Sequence, residues 1–193
     1  MKNTIHKIAV FASGSGTNAE NLARYFLNTS SAKVELILCN NSNAGVIARA
    51  KGLDIPCLIF NRQDFYESDV VLKLLTERKI DLIVLAGFLW LIPAALISAF
   101  EKKIINIHPA LLPAFGGKGF YGKNVHQSVV DSKAHMSGIT IHYVDEKFDE
   151  GEIIFQAACY IHKEDTAESL AKKIHALEYK YFPVVVEKVL KQA

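Results

Sequence analysis

The segment with the clearest chemical potential places an amide and an imidazole two residues apart, at Asn106 and His108. It reads Ile-Ile-Asn-Ile-His-Pro from residue 104 and has the apolar character of a β-strand. Because side chains alternate between the two faces of a strand, both polar groups are expected on one face. An amide can donate to a developing oxyanion, and an imidazole can exchange protons near neutral pH. The pair favours such chemistry over the alternative of a satisfied structural histidine.

A glycine-rich turn, Ser-Gly-Ser-Gly-Thr-Asn at residues 13–18, follows the first apolar run of the chain. Glycines allow a tight turn, and the N–H groups at the start of the next helix would suit a phosphate. With Ala19 the spacing also fits a dinucleotide fingerprint, which expects an acidic residue about 20 positions later. The second predicted strand instead ends in Cys-Asn-Asn at residues 39–41. We therefore interpret the turn as a phosphate cradle, with an ordinary strand-to-helix turn as the alternative.

Three further polar residues have no clear role when each is considered by itself. Asp149 stands in a turn before an apolar strand, where aspartate is common for structural reasons. His142 lies between Ile141 and Tyr143 on a predicted strand and alone indicates a structural histidine. Glu178 borders the apolar face of the last predicted helix, either as an edge residue or as an acceptor for a ligand. The sequence leaves both interpretations of Glu178 open.

Composition excludes several classes of protein. Of the 193 residues, 50% are hydrophobic, and 22 Lys and Arg nearly balance 20 Asp and Glu. No basic run indicates a nucleic-acid-binding face, and no apolar segment approaches the roughly 18 residues that span a bilayer. The cysteines are odd in number and far apart, which argues against a disulfide framework or a clustered metal site and for a reducing compartment. A cytoplasmic location is predicted.

Short apolar runs alternate with helical patterns along the first half of the chain. The continuously apolar run at residues 81–86 is typical of a middle strand in a parallel sheet. This alternation predicts a doubly wound α/β fold with a mostly parallel, Rossmann-like sheet, whose ligands bind beyond the carboxyl ends of the strands. Strands are predicted at 7–12, 34–39, 57–60, 81–86 and 103–107, and helices at 18–27, 44–51, 67–78 and after Pro93.

The second half begins with a glycine-dense loop at residues 112–123, and a loop of this length is usually functional. A helix at 125–131 and strands at 138–144 and 152–161 are expected to follow it. A final helix begins at 165–168, where Asp and Glu have capping-box spacing. With no internal repeat or low-complexity linker, a single domain over residues 1–193 is predicted.

Four motifs in order resemble the phosphoribosylglycinamide formyltransferase family of folate-dependent enzymes. They are Ser-Gly-Ser-Gly-Thr-Asn at 13–18, Ala-Gly-Phe at 86–88, Asn-Ile-His-Pro-Ala-Leu-Leu-Pro at 106–113 and Phe-Asp-Glu-Gly at 148–151. The likeness covers nearly the whole chain, and the third motif is highly specific for folate formyltransferases and their hydrolase relatives. The resemblance implies metal-free transfer of the formyl group of 10-formyltetrahydrofolate to the amine of glycinamide ribonucleotide, in purine synthesis.

The same resemblance implies roles for particular residues, with Asn106, His108 and Asp149 as the catalytic trio. Asn106 would hydrogen-bond the oxyanion, and His108, paired with Asp149, would help protons move from the attacking amine to the departing folate nitrogen. The N-terminal half would hold the phosphate and ribonucleotide, and the C-terminal half the folate and the catalytic groups. The ribonucleotide site would comprise Gly16, Thr17, Asn18 and Glu178; the folate pocket would comprise Arg62, Leu89, Trp90, Leu91, Ile92, Asn106, Asp145 and Asp149.

The chain departs from the family pattern at several positions. Ser15 stands where many relatives carry Asn, and Trp90 stands where Arg is expected on the folate side. The loop at 116–122 is longer than the common form, so its substrate contacts do not transfer from the family. Lys118 and His126 could supply contacts to the phosphate or the folate tail there.

Four alternative kinds of protein are distinguished by chain length, by turnover or by a missing acidic residue. Methionyl-tRNA formyltransferase would need a further C-terminal nucleic-acid-binding domain, and formyltetrahydrofolate hydrolase a further N-terminal regulatory domain, so chain length disfavours both. A non-catalytic nucleotide-binding module would bind phosphate ligands without turnover. An NAD-dependent dehydrogenase is disfavoured by the missing acid after the second strand. The expected partners are two small-molecule substrates, without nucleic acid or membrane, and the chain is expected to be a monomer or homodimer.

Overall fold

A seven-stranded sheet forms the centre of the chain in the computed structural model, which describes residues 5–192. Its strand order is β3-β2-β1-β4-β5-β6-β7, with β1 to β5 parallel and β6 and β7 antiparallel to their neighbours. The predicted doubly wound, mostly parallel architecture is therefore confirmed. The strands are β1 His6–Ala12, β2 Ala32–Cys39, β3 Cys57–Ile59, β4 Leu82–Leu85, β5 Ile104–His108, β6 Met136–Tyr143 and β7 Ile153–Tyr160.

Helices cover both faces of the sheet because successive strand residues point to opposite sides. In β1, Ile8 and Val10 belong to one apolar cluster, whereas Ala9 and Phe11 belong to the other. The first cluster includes residues of α1, α2, α6 and α7, and the second includes residues of α3, α4 and α5. The helices are α1 Thr17–Thr29, α2 Gly45–Gly52, α3 Arg62–Tyr66, α4 Val70–Glu77, α5 Ala94–Ala99, α6 Lys123–Asp131 and α7 Ala167–Leu190.

The helix predicted over residues 67–78 is confirmed as α4, and a separate short helix that was not predicted, α3, precedes it. A capping box starts α3. The side chain of Asn61 accepts from the Asp64 N–H at 2.9 Å, and the Asp64 carboxylate accepts from the Asn61 N–H at 3.0 Å. This reciprocal cap stabilises a short helix that buries Phe65, and the sequence analysis overlooked it.

The capping box of α7 lies one residue later than predicted. Thr166 is the N-cap, and its hydroxyl accepts from the N–H of Ser169, whose hydroxyl in turn accepts from the N–H of Thr166. The carboxylate of Asp165 instead accepts from the His162 N–H and pairs with Lys173. Asp165 therefore fixes the turn before the helix, and the box over 165–168 does not form.

The extent of the domain stays a prediction, since residues 1–4 and 193 of the expected range lie outside the described residues. Among residues 5–192, no helix is long and apolar enough to cross a membrane.

Candidate functional site

The candidate site lies where the strand order of the sheet reverses. Strand β1 has β2 on one side and β4 on the other, and the carboxyl ends of β1 and β4 form the crevice that doubly wound folds use for ligands. Two hydrogen bonds tie the segments that leave these strands. The Ser13 N–H donates to the Gly87 carbonyl at 3.0 Å, and the Leu89 N–H donates to Ser13 Oγ at 3.1 Å. The glycine turn therefore faces the segment that follows β4.

A cavity of about 550 Å³ opens at this point and extends to β5, the glycine-dense loop and α7. Its volume is in the usual range for a small-molecule site. Two residues of the sequence-based site, Arg62 and Asp145, are not among those that line it. The residues of that site that do line it are Gly16, Thr17, Asn18, Leu89, Trp90, Leu91, Ile92, Asn106, His108, Asp149 and Glu178.

The three residues of the expected catalytic trio meet at the carboxylate of Asp149. Asn106 Nδ2 donates to Asp149 Oδ1 at 3.3 Å, and His108 Nδ1 lies 3.4 Å from Asp149 Oδ2. The Gly117 N–H of the glycine-dense loop donates to the same Oδ2 atom at 3.0 Å. The carboxylate therefore links β5 to the glycine-dense loop that follows β5 in the chain, and this loop contacts the trio.

Local backbone constraints bring Asp149 to β5. Asp149 itself has a left-handed conformation with φ 58°. At Gly151 a side chain is excluded, because an added Cβ would lie 1.8 Å from the Tyr143 carbonyl oxygen. The turn between β6 and β7 thus passes close to β6, and the carboxylate reaches the side chains of the neighbouring strand.

His142 is a site residue that the sequence analysis treated as structural. The antiparallel register pairs it with Asn106, and its Nε2 lies 3.1 Å from Asn106 Nδ2. Its Nδ1 lies 2.8 Å from the Tyr143 carbonyl oxygen, which can only accept, so Nδ1 carries the hydrogen. In the neutral ring Nε2 then accepts from Asn106. The signal for this contact is strand pairing, which a single strand pattern does not contain.

The environment of His108 keeps its ring neutral and places an acceptor beside each ring nitrogen. Burial lowers the pKa of His108, while the Asp149 charge and the Phe115 carbonyl raise it and His142 lowers it; the net pKa is below its usual value of 6.5. The ring is therefore neutral near pH 7. Its Nε2 lies 2.8 Å from the Phe115 carbonyl oxygen and its Nδ1 faces a carboxylate. Both partners are acceptors, so a protonated ring would be matched on both sides.

The carboxylate of Asp149 stays ionised beside this ring. Burial acts to raise the pKa of Asp149, but His142, His108 and the Gly117 N–H together hold it below its ordinary value. An ionised acid next to a neutral imidazole is the arrangement needed for proton transfer without a metal. Among the described residues, no group of three or more His, Cys, Asp or Glu is placed to hold a metal ion.

The opposite end of the cavity is built from the glycine turn and α7. Gly16 caps α1 with φ 76°, and an added Cβ would lie 2.4 Å from the Val46 side chain, so only glycine fits. Asn18 Nδ2 donates to Glu178 Oε2 at 2.9 Å. Glu178 is only 6% exposed, and burial raises its pKa while the bond from Asn18 opposes the shift. Glu178 is therefore a buried acceptor that faces the cavity.

The cavity also has an apolar wall, which is formed by the segment after β4. Trp90 lines the cavity, and the guanidinium carbon of Arg62 lies 4.8 Å from the centroid of the Trp90 ring. Tyr66 donates from its hydroxyl to the Leu91 carbonyl at 2.9 Å, which fixes this segment against α3. Arg62 is thus placed beside the wall by a cation–π contact, while the tryptophan takes the position where the family pattern expects arginine.

The comparison with known families agrees with this geometry. The family model described as formyl transferase matches residues 6–186 of the chain. The chain belongs to the formyl transferase family. The resemblance inferred from the four motifs is confirmed.

Relatives of this formyl transferase carry a more specific name. Phosphoribosylglycinamide formyltransferase from Bacillus subtilis is 38% identical over 189 residues, which cover 95% of this chain and 94% of that protein. The chloroplastic phosphoribosylglycinamide formyltransferase of Arabidopsis thaliana is 41% identical over 186 residues, which are 93% of this chain but only 64% of the plant protein. The crystal structure of phosphoribosylglycinamide formyltransferase from Bacillus halodurans is similar with a TM-score of 0.85, 38% identity and 95% coverage of both chains.

Proposed function

We propose that this formyl transferase transfers the formyl group of 10-formyltetrahydrofolate to the amine of glycinamide ribonucleotide. The observation that carries the proposal is the meeting of Asn106, His108 and Asp149 at one end of a cavity whose other end holds a glycine turn and a buried carboxylate. The relatives from Bacillus subtilis and Arabidopsis thaliana are named for the same substrate and reaction.

The ribonucleotide is assigned to the end of the cavity formed by α1 and α7. The N–H groups at the start of α1, next to Gly16, Thr17 and Asn18, would donate to the phosphate. Glu178 accepts one hydrogen bond from Asn18 and retains capacity for the ribose hydroxyls. Such a pairing would favour the ionised form of Glu178, because hydroxyl donors stabilise a buried carboxylate.

The folate is assigned to the apolar wall formed by Leu89, Trp90, Leu91 and Ile92. This segment offers backbone donors and acceptors beside apolar side chains, which suits a flat ring system with polar edges. Arg62 lies beside Trp90 and would supply a cation for the acidic tail of the folate. Asp145 lies in the same loop between β6 and β7 as Asp149.

The chemistry assigned to the trio uses its own side chains, the two substrates and water as a proton carrier. The amine nitrogen bonds to the formyl carbon, and the bond from that carbon to the folate nitrogen breaks. Asn106 would exchange one of its two present acceptors, His142 or Asp149, for the formyl oxygen and donate to it as negative charge develops there. His108 would take a proton from the amine as Asp149 stabilises the charged ring, and would return that proton, through water, to the folate nitrogen as it departs.

We extend the proposal to one domain over residues 1–193, with the phosphate and ribonucleotide held by the N-terminal half and the folate and catalytic groups in the C-terminal half. Glu178 is the exception to that division, because α7 returns to the glycine turn. The substrates are small molecules in this proposal.

An absorbance assay of folate turnover with and without glycinamide ribonucleotide tests the proposed function. Loss of the formyl donor only when the ribonucleotide is present is the expected result. Equal loss without the ribonucleotide would make the chain a hydrolase. Absence of turnover in a chain that still binds the ribonucleotide would make it a binding module.

A further inference from the structure

His126 is a buried imidazole that the assignment of the trio leaves without a role. It stands on α6, is 6% exposed and lines the same cavity as the trio. Its Nδ1 is buried and has no hydrogen-bond partner among the described residues. A buried polar nitrogen without a partner has lost its hydrogen bonds to water, so a ligand group that bonds to it would recover that cost.

The ring of His126 lies near one histidine of each end of the cavity. Its ring is close enough to His108 on β5 and to His175 on α7 for both to influence its charge. His175 precedes Glu178 by one helical turn, and both residues line the cavity. A ligand that extends from Glu178 to His108 would therefore pass His126.

The ring chemistry of His126 favours a neutral partner. Burial, together with His175 and His108, lowers the pKa of His126 to about 4. The imidazole is therefore uncharged near pH 7 and offers one donor and one acceptor. An amide also has one donor and one acceptor, whereas a phosphate dianion binds best to cations and to arrays of N–H groups.

We propose that His126 is a specificity-determining residue that hydrogen-bonds the amide linking the reactive amine of the ribonucleotide to its ribose. The inference rests on the proposed function, since it takes the ribose to be at Glu178 and the amine at His108. Nδ1 is the atom assigned to this bond, because it is the ring nitrogen that is fully buried without a hydrogen-bond partner among the described residues. His126 thereby selects a glycinamide over a ribose phosphate that lacks it.

Three substitutions at this position separate the atoms of the ring. His126→Asn keeps a polar atom near Nδ1, His126→Gln keeps one near Nε2, and His126→Leu keeps neither. Gln127→Leu is the matched control, because Gln127 is exposed and, among the described residues, its side chain bonds only to Asp131 on its own helix. Calorimetric titration with glycinamide ribonucleotide and, separately, with ribose 5-phosphate measures binding without turnover.

The expected result is a loss of about tenfold in affinity for glycinamide ribonucleotide in His126→Leu, as one hydrogen bond supplies. His126→Asn should recover most of that loss and His126→Gln little of it. Affinity for ribose 5-phosphate should stay within twofold of wild type in all variants, as should both affinities in Gln127→Leu.

Equal weakening of both ligands would overturn the inference, and so would unchanged binding of the ribonucleotide in His126→Leu. If His126→Leu fails to fold, the comparison of His126→Asn with His126→Gln decides, and equal affinities of those two variants contradict a role for Nδ1. Failure of the proposed function looks different, because the wild-type chain would then show no turnover that depends on glycinamide ribonucleotide.

Discussion

The end of the cavity proposed for the ribonucleotide presents backbone groups, whereas the end proposed for catalysis presents side chains that contact one another. At the first end, Gly16 has a conformation and a close contact that exclude any side chain, and the start of α1 presents N–H groups. At the second, Asn106, His108 and Asp149 hold one another through contacts of 3.3 and 3.4 Å. Binding and chemistry should therefore respond differently to substitution: single changes at the catalytic end should lower kcat, and changes at the ribonucleotide end should raise KM.

The largest effect is expected from Asp149→Ala. This variant removes the carboxylate that faces His108 Nδ1 and accepts from Asn106, so kcat should fall by about 10²- to 10⁴-fold, the usual contribution of acid–base groups. Steady-state kinetics with both substrates measure it. Glu150→Gln is the control, because the exposed Glu150 pairs only with Lys147 and should turn over normally. Wild-type kcat in a folded Asp149→Ala protein would remove the carboxylate from the mechanism.

Asn106→Ala should lower kcat by about 10²- to 10³-fold, as expected for loss of one oxyanion donor. The ribonucleotide KM should change little, since Asn106 lies at the catalytic end and bonds to Asp149 and His142. The kcat and KM of the purified variant distinguish these effects. A change confined to KM would place Asn106 in ground-state binding and would break the comparison between the two ends.

Glu178→Gln should mainly change KM, whereas Asn106→Ala should mainly change kcat. Loss of the charged acceptor beside Asn18 should raise the ribonucleotide KM by about 10- to 100-fold, which corresponds to a hydrogen bond to a charged group. The KM of the folate substrate should stay near wild type, and Glu168→Gln, an exposed change in the first turn of the same helix, serves as the control. An equal rise in both KM values would count against a ribonucleotide site at Glu178.

The pH profile gives the smallest effect and concerns the catalytic end alone. In the proposed chemistry the neutral form of His108 is the active one. Its pKa is lowered from 6.5, so kcat/KM should fall only as the pH drops below 6.5. Asp149 does not set this limb, because its pKa is held below 3.8. The Asp149 charge raises the pKa of His108. The acid limb in the pH profile of the residual Asp149→Asn activity should therefore lie at lower pH than that of wild type. A limb that moves to higher pH would contradict the pairing.

The two ends also differ in how far the sequence predicts them. The glycine turn and the strands around it follow from local patterns, because a parallel strand–helix unit is contiguous in the chain. The shared face of Asn106 and His108 follows from strand alternation. Asp149 was predicted as their partner only from the family resemblance, and His142 was not predicted as a site residue.

The physical reason is that the contacts of His142 and Asp149 with Asn106 both form between segments that are distant in the sequence. His142 meets Asn106 through the antiparallel register of β5 and β6, and Asp149 arrives through a tight turn beside Gly151. Local patterns contain neither a register nor the direction of a loop. Helix α3 was overlooked for a different reason, since five residues give too little periodicity and only the Asn61 cap marks it.

A crystal structure with glycinamide ribonucleotide and an inert folate analogue would show whether the trio surrounds the reacting atoms. We expect the donor carbon of the folate within about 3.5 Å of the ribonucleotide amine, where reacting atoms stand before transfer. We also expect the oxygen on that carbon within hydrogen-bonding reach of Asn106 Nδ2, and His108 in contact with Asp149. A donor carbon out of reach of both Asn106 and His108 would contradict the account.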